Sequence, residues 1–275
     1  MKISILGVGT FGKALAYILE KNNHEIIKEE IGEADIVFVS VPSFAIDEVL
    51  LKYKDELKNK KIVICSKGFN KNGNLLSFEL PKEFPDNQFY FLYGPTLAEG
   101  LMTGEYSGFI LAGGNDKGEI KKLIESKSIY VELSDDVVGV QVGATFKNVV
   151  NIFIGLAEGA KLGENTKAFV YTKGLENIRN AGVSIGANSE TFLGLSCAGD
   201  LYLNSRSREL GEEIGKGKTF DEVDKELIYP KEGIITLQNL ENIEKYIKSD
   251  LSYFKLIYRI IFDYLDIKSA ILEIK

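Results

Sequence analysis

Residues 3–12 read Ile-Ser-Ile-Leu-Gly-Val-Gly-Thr-Phe-Gly, a short apolar run that breaks at once into glycines 7, 9 and 12. Ile3, Ile5 and Leu6 suit a buried parallel strand, and Gly7 lets the chain turn sharply out of it. Gly9 removes a side chain where a pyrophosphate would approach the backbone. Gly12 lets the next helix pack on the strand with its amino-terminal dipole aimed at phosphates. A GxGxxG match alone is weak evidence. Here Phe11, Ala14, Leu15, Ile18 and Leu19 form one helical face directly after it, which supplies the strand–turn–helix context.

Working outward, 275 residues can bury a full core and suffice for two domains. A hydrophobic fraction of 45% with 27% charged residues is that of a globular protein. No unbroken apolar run approaches the roughly 18 residues of a membrane span, and the segment before the glycines is too short for a signal peptide. Cys65 and Cys197 carry no CxxC spacing, so reduced thiols in a cytoplasm are expected. The net charge of −7 argues against nucleic acid as a partner, and any anion site must be built locally.

The first half alternates strand-like and helix-like segments. Glu25–Lys28, Ile36–Val41, Lys61–Cys65, Phe89–Tyr93, Gly108–Ala112 and Ile129–Glu132 read as strands, with helices over Phe44–Leu57 and Lys117–Ser126. This βα alternation predicts a doubly wound sheet. From Ser134 the pattern turns helical, so a dinucleotide-binding domain is expected over 1–134 and a helical substrate domain over 135–275, with the active site in the cleft between them. Ser134-Asp135-Asp136 caps a long helix along which Gly139, Gly143, Gly155, Gly159 and Gly163 recur, with Lys147 and Asn151 in the intermediate slots. Glycine disfavours a helix interior by about 1 kcal/mol each, so something packs close to that stripe. Spacing leaves two readings open. Either Lys147 faces a contact, or the stripe is helix packing with Lys147 reaching solvent.

Taken together, the motifs resemble one family. The glycine loop is followed in order by Val41-Pro42-Ser43, Ser66-Lys67-Gly68, Gly94-Pro95-Thr96-Leu97-Ala98, Phe146-Lys147-Asn148, Leu162-Gly163-Glu164-Asn165-Thr166, Thr191-Phe192-Leu193-Gly194, Gly199-Asp200-Leu201, Ser205-Arg206-Ser207-Arg208 and Glu232-Gly233. The chain is similar to the soluble NAD(P)-dependent glycerol-3-phosphate dehydrogenases, over nearly its whole length. The resemblance implies a Rossmann-like amino-terminal sheet, an all-helical second domain, NAD or NADP as cofactor, a small phosphorylated substrate and a homodimer. It implies roles for Lys147, Lys67 and Asp200 in catalysis, and for Lys67, Asn148, Asn204, Arg206 and Ser207 in holding substrate. Gly7, Gly9, Thr10, Phe11, Gly12, Phe44, Lys67, Ala98, Arg206 and Glu232 match cofactor contacts.

The residues suit that chemistry. Reducing a ketone needs a proton donor and positive charge beside the developing alkoxide. The one histidine, His24, lies between the first helix and second strand and reads as a surface residue, which leaves lysine or tyrosine as the acid. Two lysines at one carbonyl would lower each other's pKa, with Asp200 opposing that shift. Two of only four arginines, Arg206 and Arg208, stand two apart, a pattern that fits phosphate recognition. A solvated helix start, with Arg208 paired to Glu212, is the alternative. Cys197 carries no activating neighbour and reads as a packed thiol.

Three departures from the family pattern stand out. Only seven residues, Glu29–Asp35, separate the second strand from the third, where the family has a further helix and strand, so the sheet is expected to be truncated after the second strand. Glu29 or Glu30 falls where an acid would hold the ribose 2′-hydroxyl, whereas Lys28 would favour a 2′-phosphate, and surface charge accounts equally well for all three. The loop from Asp200 to Arg206 is short, with Ser207 in place of an asparagine. A related dehydrogenase of another hydroxy acid or phosphorylated polyol, or a nucleotide-binding protein without catalysis, are the competing readings.

Overall fold

The opening run forms strand β1 (Lys2–Leu6) in a computed structural model that describes residues 1–28, 30–203, 205–229 and 231–274. Helix α1 (Thr10–Lys21) carries the chain to β2 (Glu25–Lys28), and β3 (Ile36–Val39) returns on the other side of β1. Then come α2 (Ile46–Lys52), β4 (Lys61–Ile64), α3 (Leu76–Glu83), β5 (Gln88–Tyr93), α4 (Ala98–Thr103), β6 (Ser107–Gly113), α5 (Lys117–Ile124) and β7 (Ile129–Ser134). The sheet order is β2-β1-β3-β4-β5-β6-β7, parallel except between β5 and β6. That reversal lay outside the sequence reading, because a strand pattern carries no direction.

Strand β2 is the sheet edge. The usual dinucleotide-binding order places one more strand outside it, and among the described residues none follows. The end of β2 and the start of β3 are about 12 Å apart, along the diagonal of two strand spacings and two residues of rise. The seven-residue connection, reaching at most about 25 Å, spans this without a helix. Ile31 and Ala34 of that connection are fully buried against the sheet face that α2 also covers, and Lys60 Nζ donates to the carbonyls of Gly32 and Ala34 at 3.0 and 2.6 Å. The truncation expected from the sequence is therefore present, and the bare sheet face is plugged by two apolar side chains.

Some local expectations need correction. The helix expected over 44–57 is a 3-10 turn (Ser43–Ala45) and the seven-residue α2, after which the chain turns back to bury Leu57. Helices α3 and α4 escaped detection, being short, with Pro81 inside α3.

From Val137 onward every described element is helical: α6 (Val137–Gly159), α7 (Glu164–Val183), single turns at Ser189–Leu193 and Leu195–Gly199, α8 (Asp200–Tyr202), α9 (Arg206–Gly215), α10 (Phe220–Glu226), α11 (Glu232–Gln238), α12 (Leu240–Ile243), α13 (Ser252–Phe262) and α14 (Ile267–Glu273). Asp136 caps α6 by accepting from Gly139 N at 2.8 Å, and its other oxygen accepts from Thr191 Oγ1 and Asn188 N. Although α6 is long and apolar enough to cross a membrane, it is the protein's own core. Val140 and Ala144 pack on the sheet, while Phe146, Val149 and Phe153 sit in the helical core.

The glycine stripe is helix packing. A Cβ on Gly155 or Gly159 would lie 2.0 Å from the carbonyl oxygens of Arg208 and Glu212, and one on Gly211 would lie 2.0 Å from that of Ile152. Gly143 faces Cys197. Gly163 does not belong to the stripe, because α6 ends at Gly159 and the chain reverses through Lys161 and Gly163, both at positive φ. Gly155→Ala or Gly211→Ala is expected to destabilise the fold by about 1–3 kcal/mol through overpacking, lowering the melting temperature by several degrees. Gly9→Ala, whose Cβ would meet nothing within 4 Å, should leave the thermal melt unchanged.

Candidate active site

Gly7 leaves β1 with φ +89°, and a Cβ there would lie 2.8 Å from Ser40 and Val41 at the end of β3. Gly12 presses on the same place: its Cβ would stand 2.0 Å from Gly7 O and 2.7 Å from Ser40 Oγ. Between them Gly9 and Thr10 are exposed. No side chain caps α1 and no acid stands in its first turn, so its amino-terminal N–H groups face outward where the sheet order reverses. That is the place where α/β sheets bind ligands. The turn role read for Gly7 and the packing role read for Gly12 are present, and the space in front of Gly9 is open. Phe11, half-buried, packs edge-on to Phe109. Phe44 and Ala98, also half-buried, sit in the 3-10 turn following β3 and at the start of α4 following β5.

The lysines come together on one carboxylate. Lys147, in the middle of α6, places Nζ 3.2 Å from Asp200 Oδ1, and Lys67, in the turn after β4, places Nζ 2.7 Å from Oδ2. Lys67 also donates to Gly94 O at 2.8 Å, at the end of β5. The Lys147 and Asp200 side chains are only 6% and 3% exposed. Lys147 therefore does not reach solvent, although the glycines around it serve helix packing: each open reading holds for part of the stripe. Burial lowers the Lys147 pKa below the ordinary lysine value, the Lys67 charge lowers it further, and the Asp200 carboxylate opposes both. The direction matches the sequence argument, but loss of water outweighs like-charge repulsion.

Asn148, one residue on, is buried. Arg206 is exposed at the start of α9, stacked 5.1 Å from the Tyr229 ring centroid, with no carboxylate partner among the described residues. Ser207 is half-buried beside it, and the Ser205 hydroxyl next to that helix start is buried without a hydrogen-bond partner among the described residues. Asn204 lies outside the described residues, as does Glu29; Glu30 is exposed. Arg208 turns the other way and grips Glu158 of α6 with two nitrogens, not Glu212. Glu232 directs both carboxylate oxygens to Ser43. Cys65 and Cys197 are free and buried, and burial pushes both thiols up. His24 is half-buried, not a fully exposed surface residue, and partial burial lowers its pKa; it sits at the turn before β2. Among the described residues no cluster of metal-ligating side chains occurs.

This geometry fits a nicotinamide dinucleotide at the glycine turn, and comparison with known proteins agrees. Residues 27–118 match the family described as NAD-dependent glycerol-3-phosphate dehydrogenase N-terminus, and residues 136–272 match its C-terminus. A glycerol-3-phosphate dehydrogenase [NAD(P)+] of Thermoanaerobacter sp. (strain X514) is 30% identical over 307 aligned positions, covering 96% of this chain and 93% of that one. This chain belongs to the NAD(P)-dependent glycerol-3-phosphate dehydrogenase family. A homologue in Acinetobacter baumannii (strain SDF) is 28% identical over 96% of this chain and 86% of its own. The crystal structure of glycerol-3-phosphate dehydrogenase from Coxiella burnetii superposes with a TM-score of 0.92, at 24% identity, over 99% and 98% of the two chains, and so shares the fold. The alignment to the Thermoanaerobacter dehydrogenase is longer than this whole chain, as expected of a dehydrogenase with a shortened sheet.

Two groups in the site were not singled out from the sequence: the Gly94 carbonyl and Ser43. Both stand in motifs that were recognised, each just past the carboxyl end of a strand. That position is the signal that could have found them, since a backbone oxygen or a small hydroxyl carries no chemistry legible in one letter.

The lowered Lys147 pKa sets a direction for the pH profile. If its ammonium gives the proton in ketone reduction, kcat/KM falls as pH rises through a value below the ordinary 10.5 of lysine. Asp200→Asn removes the charge that favours the ammonium, so the falling limb should move to lower pH. Rate profiles of the two proteins across pH 6–10 check this, and an unmoved limb would exclude Lys147 as the titrating acid.

Proposed function

We propose that this protein interconverts dihydroxyacetone phosphate and sn-glycerol 3-phosphate with NAD or NADP, with Lys147 as proton donor to the substrate oxygen. The observation that carries the assignment of roles is the buried Lys147–Asp200–Lys67 cluster, which brings an acid and a fixed positive charge to one point. The bound cofactor supplies the hydride, delivered to the carbonyl carbon. As that carbon accepts the hydride, the carbonyl π pair moves to oxygen and the proton comes from Lys147 Nζ. Lys67, held between Asp200 and the Gly94 carbonyl, presents positive charge to the same oxygen. Asp200 fixes both amines and keeps a charged Lys147 tolerable in a site closed to water.

Arg206 and the start of α9 take the substrate phosphate in this scheme. The helix is ten residues long, and its amino-terminal dipole, an unpaired guanidinium and the free Ser205 hydroxyl suit an anion. Asn148 and Ser207 complete the substrate contacts, and the product supplies the glycerol backbone of phospholipids. Two free, buried thiols suit a reducing compartment, and we propose a cytoplasmic homodimer, a state that sedimentation reads directly. The short loop before Arg206 favours a related phosphorylated polyol as the one competing substrate class.

The test is loss of NADH or NADPH absorbance with purified protein and dihydroxyacetone phosphate. Turnover is expected, and Lys147→Ala should lower kcat by about 10²–10⁴-fold. Arg206→Ala should raise KM for the phosphorylated ketone about tenfold or more with a smaller effect on kcat, since a charge-assisted contact is worth about 1.5–3 kcal/mol. Near-normal turnover of Lys147→Ala, or an Arg206→Ala enzyme with unchanged KM, would end the assignment of that residue.

A further inference from the structure

Helix packing accounts for the glycines of the α6 stripe, and Asp200 accounts for Lys147, but neither accounts for Asn151. It is fully buried, and among the described residues neither its Nδ2 nor its Oδ1 has a hydrogen-bond partner. A carboxamide enclosed in this way is unfavourable, because it gives up water and gains nothing in return. Its presence one helical turn from Lys147 calls for a partner.

The packing of α6 on α9 fixes what it faces. A Cβ on Gly155 would lie 2.0 Å from Arg208 O and 2.8 Å from Glu212 N, and one on Gly159 would lie 2.0 Å from Glu212 O and 2.8 Å from Lys216 N. Four residues along α6 thus correspond to four along α9. One turn back from Gly155 is Asn151, and one turn back from Glu212 is Arg208, so Asn151 faces the first turn of α9, Ser205–Arg208. Ser205 stands at the N-cap of that helix, where a serine hydroxyl ordinarily accepts from the second or third N–H. Here it makes no such bond, and it is buried and unpaired among the described residues. Two orphan groups therefore lie on facing elements beneath Arg206, while Tyr229 holds the outer side, its hydroxyl donating to Arg206 O at 2.6 Å. A serine hydroxyl has one hydrogen to give and two lone pairs. If the hydrogen goes to a phosphate oxygen, the lone pairs are left to accept, and Asn151 Nδ2 is the donor that suits them.

We propose that Asn151 is a positioning residue for the phosphate end of the substrate: it donates to the Ser205 hydroxyl, which turns its own hydrogen toward a phosphate oxygen beside Arg206. This rests on the dehydrogenase reading above and extends it to a residue that the resemblance did not single out. The relay is neutral and enclosed, so each bond strengthens the next. Without a phosphate to complete it, the same amide is a burden on the fold.

The experiment compares Asn151→Ala, Ser205→Ala and the double variant in thermal melts, in kinetics with dihydroxyacetone phosphate, and in calorimetry with glycerol 3-phosphate, inorganic phosphate and glycerol as the unphosphorylated control. Asn151→Ala deletes an unpaired amide and should melt at or above the temperature of the unaltered protein. It should nevertheless raise KM and the Kd for both phosphates about three- to tenfold, with a smaller change in kcat. Ser205→Ala should lose at least as much, and the double variant no more than Ser205→Ala alone. Asn151→Asp keeps the shape, replaces the donor with negative charge and should weaken phosphate binding further. The heat measured with glycerol should not differ among the proteins. An Asn151→Ala protein with unchanged KM and Kd, effects that multiply in the double variant, or a melt several degrees lower would overturn the proposal in favour of an amide that serves the fold alone. Failure of the unaltered protein to reduce dihydroxyacetone phosphate would sink the dehydrogenase reading instead. Calorimetry with the two phosphates then decides the relay by itself, and an unaltered protein that binds neither overturns it.

Discussion

A lysine in the middle of the most deeply buried helix is the constraint around which this molecule is arranged. Lys147 has apolar neighbours in sequence on nearly every side of α6, and an ammonium there without a counter-charge would be driven to neutrality or would unfold its surroundings. Asp200 answers that need, and its own burial then requires a second cation, which Lys67 supplies from the sheet. Removing one partner from such a group typically destabilises by about 3–5 kcal/mol. The same contacts pin the turn after β4, the start of α8 and the centre of α6 to one point.

Positioning Asp200 to that tolerance depends on close backbone packing. Gly143 admits Cys197, three residues ahead of Asp200, and Gly155, Gly159, Gly211 and Gly215 let α6 and α9 approach carbonyl against Cα. The bidentate Arg208–Glu158 pair locks the register of the same two helices. The start of α9, where Arg206 stands, is thereby held against α6, which carries Lys147. In the proposed reaction this sets the reach between the phosphate contact and the proton donor, a constraint that a three-carbon substrate imposes.

The sequence was most legible where a residue type has few possible reasons to be there. GxGxxG after an apolar run has one common structural solution, and Gly7 and Gly12 adopt the turn and packing roles read for them. For Lys147 on its glycine stripe, spacing left a buried contact and a reach to solvent both open; the lysine takes the contact, with Asp200, and the glycines take the helix packing. Arg206 and Arg208 looked like a matched pair in one dimension. On a helix, residues two apart point to different sides, so one faces Glu158 and the other faces outward. The reversal at β6, the clasp of Glu232 on Ser43 and the dominance of burial over repulsion at Lys147 depend on contacts between segments far apart in the chain, which local pattern does not encode.

The shortened sheet shows how separable the two ends of such a site are. The glycine turn is held by β1 against β3, through Gly7 and Gly12 packed on Ser40 and Val41. The Lys67–Asp200–Lys147 cluster hangs on the ends of β4 and β5 and on α6 and α8. None of these contacts involves β2, whose four residues pair with β1 alone. Removing the strand and helix beyond β2 therefore uncovers one edge without loosening either the phosphate turn or the lysines, provided that the exposed face is sealed. Ile31 and Ala34 seal it, and Lys60 ties their loop to the body. In the proposed reaction that edge would face the adenosine end of the cofactor, the part farthest from the hydride, so the chemistry constrains it least and leaves it the freest part of the fold to shrink.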